Sequence, residues 1–253
     1  MIEVRHISKS FNGVKVLHDI SATFDAGKTN LIIGQSGSGK TVLMKSIIGI
    51  HRVDEGDILY GNSNFTSMNS KEVTNLRKEI GMLFQGSALF DSMTVEENVR
   101  FPLEMFSNKP KGEWKERVDF CLNRVGLSHA AKLYPAEISG GMQKRAAIAR
   151  AIVLQPTYLF CDEPNSGLDP KTSQTIDQLI REITYESNMT TIINTHDMNS
   201  VMEIGDKVLF IHEGRKSWEG QKETIFDSNN EDLNALVFAS SLFQKVKKYH
   251  NMA

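Results

Sequence analysis

Apolar and polar residues alternate over residues 1–7 and again over 15–24, the period-two pattern of strands with one buried face. Asn12-Gly13 between them marks a turn, so the chain is expected to open as an antiparallel pair. Leu31-Ile32-Ile33 reads as a short strand and Val42-Leu43-Met44 as the opening of a helix. Residues 55–61 read as a further strand between glycine turns, and 62–71 as a polar loop leading into a helix. Residues 80–84 form an apolar run that ends at Gln85. The period then changes. Residues 94–105 and 111–125 read as helices, broken at Ser107-Asn108-Lys109-Pro110. Thr94 is the expected N-cap, with Glu96 and Glu97 in the first turn. Val118, Cys121, Leu122 and Val125 have the spacing of one apolar helix face. Consecutive helices between two strand-rich stretches predict an inserted helical lobe.

Beyond that lobe, 144–154 reads as an Ala- and Arg-rich helix, and 158–161 as a strand buried on both faces, as in a parallel sheet. A turn at 166–170 leads into a helix with Ile176, Leu179, Ile180 and Ile183 on one face. Residues 191–195 form another apolar strand, ended by His196. Residues 207–212 and 215–219 flank Glu213-Gly214 and read as a hairpin. In the tail Leu233, Leu236, Val237 and Phe243 recur at roughly helical spacing, followed by Lys245, Lys247 and Lys248, favourable charges at a helix C-terminus.

Composition narrows the picture. A net charge of −2 over 253 residues provides no global basic field, which argues against a nucleic-acid partner. No run approaches the ~18 apolar residues of a membrane span, and the first eleven residues are too polar for a signal sequence. The chain is expected to be soluble and to reach a membrane only through a partner. Cys121 and Cys161 lie in no metal or redox spacing and read as reduced, small apolar residues.

The candidate chemistry centres on Gly34, Gln35, Ser36, Gly37, Ser38, Gly39, Lys40 and Thr41, which fit G-x-x-x-x-G-K-[ST] between a strand and a helix. The glycines let main-chain N–H groups approach phosphates, and the helix adds its positive end. Lys40 can reach the β- and γ-phosphates and Thr41 can ligate Mg²⁺. Ser139, Gly140, Gly141, Met142 and Gln143 expose backbone donors at a second helix start. One nucleotide rarely needs two such sites in one chain, which points to a nucleotide held between two copies. Asp162 and Glu163 follow an apolar strand, where α/β sheets place their chemistry. Asp162 suits Mg²⁺, and Glu163 suits activation of a water. His196 is a candidate γ-phosphate contact, Gln85 a candidate metal ligand or γ-phosphate sensor, and Phe11 a surface on which adenine could stack.

In this order the motifs resemble the ATP-binding subunit of ABC transporters over nearly the whole chain. Phe11 falls at that family's adenine-stacking aromatic, 34–41 at Walker A, Gln85 at the Q-loop and 139–143 at the signature, with Ile138 where leucine is usual. Residues 158–163 match Walker B, 166–169 the D-loop with Asp169 at its end, and His196 the switch histidine. The resemblance implies an α/β P-loop NTPase (RecA-like) core with an antiparallel β subdomain and an inserted helical signature subdomain. The core would span about 1–88 and 155–220, the helical part about 89–154 and a helical tail about 221–253, all within one ATP-binding domain. It further implies ATP and Mg²⁺ as cofactors, with Thr41, Gln85 and Asp162 at the metal. Glu163, His196, Gln85 and Lys40 would be catalytic. Two copies would close on two ATP and drive an integral-membrane permease from the cytoplasmic face of the inner membrane. A narrower similarity, in Gly81-Met82-Leu83-Phe84-Gln85-Gly86-Ser87-Ala88-Leu89-Phe90 and Ser139-Gly140-Gly141-Met142, is to the Mla-type lipid-transport ATPases. It implies phospholipid cargo and a lipid-binding substrate subunit. The alternative is the ATPase of an amino-acid or other small-solute importer. A soluble ABC protein acting on ribosomes or DNA would carry tandem nucleotide domains or long insertions.

Overall fold

The computed structural model describes residues 1–239 together with Phe243 and Gln244. The chain passes through β1 (Ile2–Phe11), β2 (Val14–Phe24), β3 (Thr29–Ile33), α1 (Lys40–Ile47), β4 (Glu55–Tyr60) and β5 (Ser63–Asn64). There follow α2 (Ser70–Lys78), β6 (Ile80–Leu83), α3 (Val95–Phe106), α4 (Lys111–Arg124), α5 (Gly140–Ile152), β7 (Tyr158–Asp162) and α6 (Pro170–Glu186). The last elements are β8 (Thr190–Thr195), α7 (Met198–Ile204), β9 (Lys207–His212), β10 (Arg215–Gly220) and α8 (Glu231–Val237). They form two compact units. One comprises Met1–Asp25, Thr29–Ser67 and the chain from Asn194 onward; the other comprises Ala26–Lys28 and Met68–Ile193.

The first unit contains an antiparallel sheet in the order β2-β1-β4-β5. Its alternating pattern buries Ile2, Val4 and Ile7 on β1, with Ile2 opposite Phe24 and Ile7 opposite Ile20. The register shifts between Val4 and Ile7, where His6 and Asp19 both take φ of 51° and their side chains pair at 2.8 Å. β3 is buried at all five positions and pairs in parallel with β9, which carries β10 antiparallel on its other side. The expected β9–β10 hairpin is present. Glu213 and Gly214 have φ of 46° and 71°, and a Cβ on Gly214 would stand 2.0 Å from the Val16 carbonyl oxygen. Only glycine fits there. The Gly214 carbonyl accepts the His18 N–H at 2.8 Å, which ties the hairpin to β2. In the tail Leu233, Val237 and Phe243 are buried and Leu236 is half-buried, so this segment packs on its own unit. Lys245, Lys247 and Lys248 lie outside the described residues.

The second unit is built on β7, buried throughout, with β6 in parallel register from Ile80↔Tyr158 to Leu83↔Cys161. The first part of β8 runs on its other side. α3 packs against both α4 and α5. Thr94 caps α3 as expected. Its Oγ1 accepts the Glu97 N–H, and Glu97 Oε2 accepts the Thr94 N–H at 2.7 Å, a reciprocal cap worth about 1 kcal/mol. Asn98 is fully buried. Its amide donates to the carbonyls of Phe90, Met93 and Thr94, and its Oδ1 accepts the Phe90 N–H. Val118, Cys121, Leu122 and Val125 are all buried, the face expected of α4. α5 differs from expectation. It begins at Gly140, four residues before Lys144, and ends at Ile152. Burial pushes the Cys121 thiol up to about 11 and that of Cys161 higher still. Among the described residues no helix is long and apolar enough to cross a membrane.

Candidate functional site

In the first unit, buried β3 delivers the chain into the 34–41 loop, which runs directly into α1. Gly34, Gly37 and Gly39 have φ of 152°, 81° and 104°. A Cβ on Gly34 would stand 2.3 Å from the Ile211 carbonyl oxygen, so the loop admits no larger residue there. Gly39 is the N-cap of α1 and provides no side-chain cap, which leaves the first N–H groups of the helix to a ligand. Gln35, Ser36 and Gly37 form the exposed tip, while Ser38, Gly39 and Lys40 are buried and Thr41 is half-buried. The Lys40 ammonium curls back over the loop and donates to the carbonyls of Gly34 at 2.8 Å and Gln35 at 2.9 Å. Ser38 Oγ is buried with no hydrogen-bond partner among the described residues. An unpaired buried hydroxyl is unfavourable, and a phosphate oxygen is the kind of acceptor that would satisfy it. The residues present fit a nucleotide polyphosphate.

Phe11 ends β1 and is 38% exposed. The His51 ring meets it nearly edge-on, with centroids 5.1 Å apart, and Lys9 Nζ lies 5.3 Å from its centroid. Burial lowers the His51 pKa, with Lys45 and Lys9 adding to the effect, which favours the uncharged imidazole. His196, exposed, is the first residue after β8 and precedes Asp197, the N-cap of α7.

In the second unit, Asp162 is the buried last residue of β7. Glu163 follows it with φ of 48°, a left-handed conformation unusual for glutamate. Gln85 is exposed just past β6, and its Nε2 lies 3.3 Å from Ser166 Oγ. Ser139 caps α5 through its Oγ, which accepts the Met142 N–H. Gly140 and Gly141 therefore lie in the first turn of that helix. Gly141 has a packing reason too, since a Cβ there would stand 2.6 Å from Thr172 Cγ2. Gln143 turns its amide to the Pro135 carbonyl at 2.9 Å. Asp169 caps α6 by accepting the N–H groups of Lys171 and Thr172, while its Oδ2 accepts the Thr172 hydroxyl at 2.5 Å. These bonds, the Thr172 side chain first, hold its carboxyl below the usual range. The second unit thus brings the start of α5 beside the start of α6, and Gln85 beside Ser166.

Three side chains here escaped the reading of the sequence. Lys144 is buried and donates to the Gln85 carbonyl. Burial lowers its pKa, while Cys161, Asp162 and Glu163 oppose that shift. Arg150 donates to the carbonyls of Ser87 and Ala88. His51 packs against Phe11. Each contact joins residues tens of positions apart, and no local pattern announces it.

A family model described as ABC transporter matches residues 17–166. The Methionine import ATP-binding protein MetN of Clostridioides difficile is 37% identical over 96% of this chain and 75% of its own length. The Probable ribonucleotide transport ATP-binding protein mkl of Mycobacterium leprae is 37% identical over 90% of this chain and 66% of its own length. The chain thus spans about two thirds to three quarters of these relatives. Among solved structures, cbiO1 from Clostridium perfringens, part of the cbiONQ ABC transporter complex, superposes with a TM-score of 0.84 at 29% identity, covering 99% of this chain and 98% of that one. A dimeric ATP-binding cassette in a post-hydrolysis state, bound to ADP and Pi, gives 0.80 at 28% identity over 88% and 99%.

Proposed function

This chain belongs to the ABC transporter family as an ATP-binding subunit that works with ATP and Mg²⁺, and from that membership we propose that it hydrolyses ATP to drive a permease moving phospholipid between membranes. The observation that carries the ATPase reading is the 34–41 loop, with its glycine-only turns, curled Lys40 and unpartnered Ser38 hydroxyl. The loop's N–H groups and Lys40 bind and orient the phosphates. Phe11 receives the adenine. Mg²⁺, when bound, neutralises charge on the β- and γ-phosphate oxygens, and Thr41, Gln85 and Asp162 are the residues that would hold it. Glu163 accepts the proton of the attacking water, and His196 holds the γ-phosphate oxygens. Ser139, Gly140, Gly141 and Gln143, with Asp169 nearby, complete the site of a second copy. The dimeric state of the solved cassette supports this arrangement.

The permease would be held at the cytoplasmic face of the inner membrane, with a lipid-binding substrate subunit beyond it. Phe84, next to Gln85 in the chain, and Phe90, five residues beyond it, are 39% and 42% exposed, and the Phe90 ring lies 4.8 Å from that of Phe101. Leu89 is half-buried. Apolar side chains clustered at such a surface suit a docked partner. Phe90→Asp is expected to leave the subunit folded and ATP-binding, with an unchanged melting temperature, yet to abolish co-purification with the permease. A folded variant that still assembles would remove Phe90 from the interface.

Phospholipid as cargo is supported by the similarity of residues 81–90 to the lipid-transport ATPases. The methionine-import relative, matched over 96% of this chain, favours a second reading as a small-solute importer. The complex with its permease distinguishes them when reconstituted in liposomes. ATP-dependent transfer of a fluorescent phospholipid is expected. Methionine uptake without lipid transfer would overturn the lipid reading and leave the ATPase in place.

A further inference from the structure

Three backbone carbonyls just past β6 are gripped by two cations from a single helix. Lys144 on α5 donates to the carbonyl of Gln85. Arg150, on the same helix, donates through Nη2 to Ser87 O at 2.7 Å and through Nη1 to Ala88 O at 2.6 Å. All of these residues belong to the second unit.

The gripped segment is strained. Ser87 and Ala88 have φ of 61° and 50°, two successive non-glycine residues in the left-handed region. Alanine has no polar side chain to offset that conformation, and Ala88 is exposed while Ser87 is buried. The turn is held locally by the Ser87 and Ala88 N–H groups, which donate to the Phe84 and Gly86 carbonyls at 2.9 and 2.7 Å. What the conformation achieves is to present two successive carbonyls to one guanidinium. A planar fork takes both at once with its two amino groups fixed relative to one another, whereas an ammonium at the end of a flexible stem imposes no such fixed spacing. The side chain of Gln85 meanwhile reaches Ser166. Its backbone is tied to α5 and its amide to the turn before α6.

We propose that Lys144 and Arg150 are positioning residues for Gln85. By holding the carbonyls of Gln85, Ser87 and Ala88 they keep the segment in its strained form and so set where the Gln85 amide stands. Both lie on the helix capped by Ser139, about 17 Å in length from cap to Arg150 at 1.5 Å per residue. A nucleotide bound at the Ser139 end can therefore bias Gln85 through a rigid element of the same chain. The inference rests on the role proposed above for Gln85 in ATP turnover.

The test uses the full chain and two independent readouts. In hydrogen exchange, Arg150→Lys is expected to speed exchange of the 87–89 amides by about 10-fold or more, with the α5 amides unchanged. In ATP turnover, Arg150→Lys and Lys144→Met are each expected to lower kcat by about 10-fold or more, because small misplacements of a catalytic group are costly. ATP affinity should stay within about twofold, since the phosphate loop is untouched. Adding Ser87→Gly and Ala88→Gly to Arg150→Lys should restore most of the rate, because glycine adopts positive φ without strain. In a Gln85→Ala background neither cation variant should lower kcat further. Unchanged exchange at 87–89, or losses that simply add to that of Gln85→Ala, would overturn the proposal. If Arg150→Lys does not fold, Lys144→Met carries the same tests. A wild-type chain that hydrolyses no ATP would instead sink the ATPase reading, while the exchange arm still decides whether the grip exists.

Discussion

Replacing Glu163 with glutamine is expected to slow ATP turnover by about 10²–10⁴-fold, the usual loss when a general base is removed. The substitution retains size and hydrogen-bonding capacity and removes only proton acceptance. Its position makes the effect specific. Glu163 follows the buried strand-end Asp162 and is held at φ 48°, a conformation that costs on the order of 1–3 kcal/mol and is found where surrounding structure imposes it. Glutamine has the same backbone preferences, so the strain and the fold should be unchanged. The phosphate loop lies in the other unit and is untouched, so ATP should bind as before. With hydrolysis blocked, an ATP-bound dimer should accumulate, visible as a shift in size-exclusion chromatography. Near-normal turnover by Glu163→Gln would show that another group takes the proton.

The second large effect concerns sharing of sites between copies. Mixed dimers carrying Lys40→Ala on one chain and Ser139→Arg on the other are expected to retain about one occluded ATP per dimer, and doubly substituted homodimers none. Losing a single preorganised donor to phosphate typically costs about 10²–10³ in rate. If the Ser139 of one copy serves the Lys40 loop of the other, both lesions fall in one site and the second survives. If each chain used its own Ser139, both sites of the mixed dimer would be damaged and the two preparations would behave alike. Ser139 is also the cap of α5, so its loss removes about 1 kcal/mol of helix stability. A melting curve of the Ser139→Arg chain separates that effect from the loss of occlusion.

Much of the scaffold is legible in local pattern. Alternation reveals β1 and β2, and Asn12-Gly13 and Gly214 give away both hairpins because few residue types other than glycine and asparagine tolerate the positive φ found there. The Thr94 cap is visible because its reciprocal partner Glu97 lies only three residues on. The start of α5 is less visible. Two glycines discourage a helix by about 1 kcal/mol each, yet Ser139 caps the helix ahead of them and the Thr172 methyl leaves Gly141 no room for a side chain. Asn98, Lys144 and Arg150 look like ordinary helix residues. Their partners, Phe90, Gln85 and Ser87, are brought to them by the fold, and no window of sequence contains both ends of those bonds except that of Asn98. Gln143 is similar: its amide donates to the Pro135 carbonyl, a bond that its place in the signature does not announce.

The burial of both cysteines has a practical side. A thiol reacts with maleimides and disulfide reagents only as the thiolate. With Cys121 pushed up to about 11, Cys161 higher, and both side chains shut away from solvent, the native chain is chemically silent to such probes at neutral pH. A single cysteine introduced at Phe90 or Ser139 would then be the one reactive sulfur in the folded protein. Cross-links and spectroscopic labels can be placed on either surface without first stripping the core of its own sulfur, and labelling of Cys121 or Cys161 would itself report that the second unit had opened.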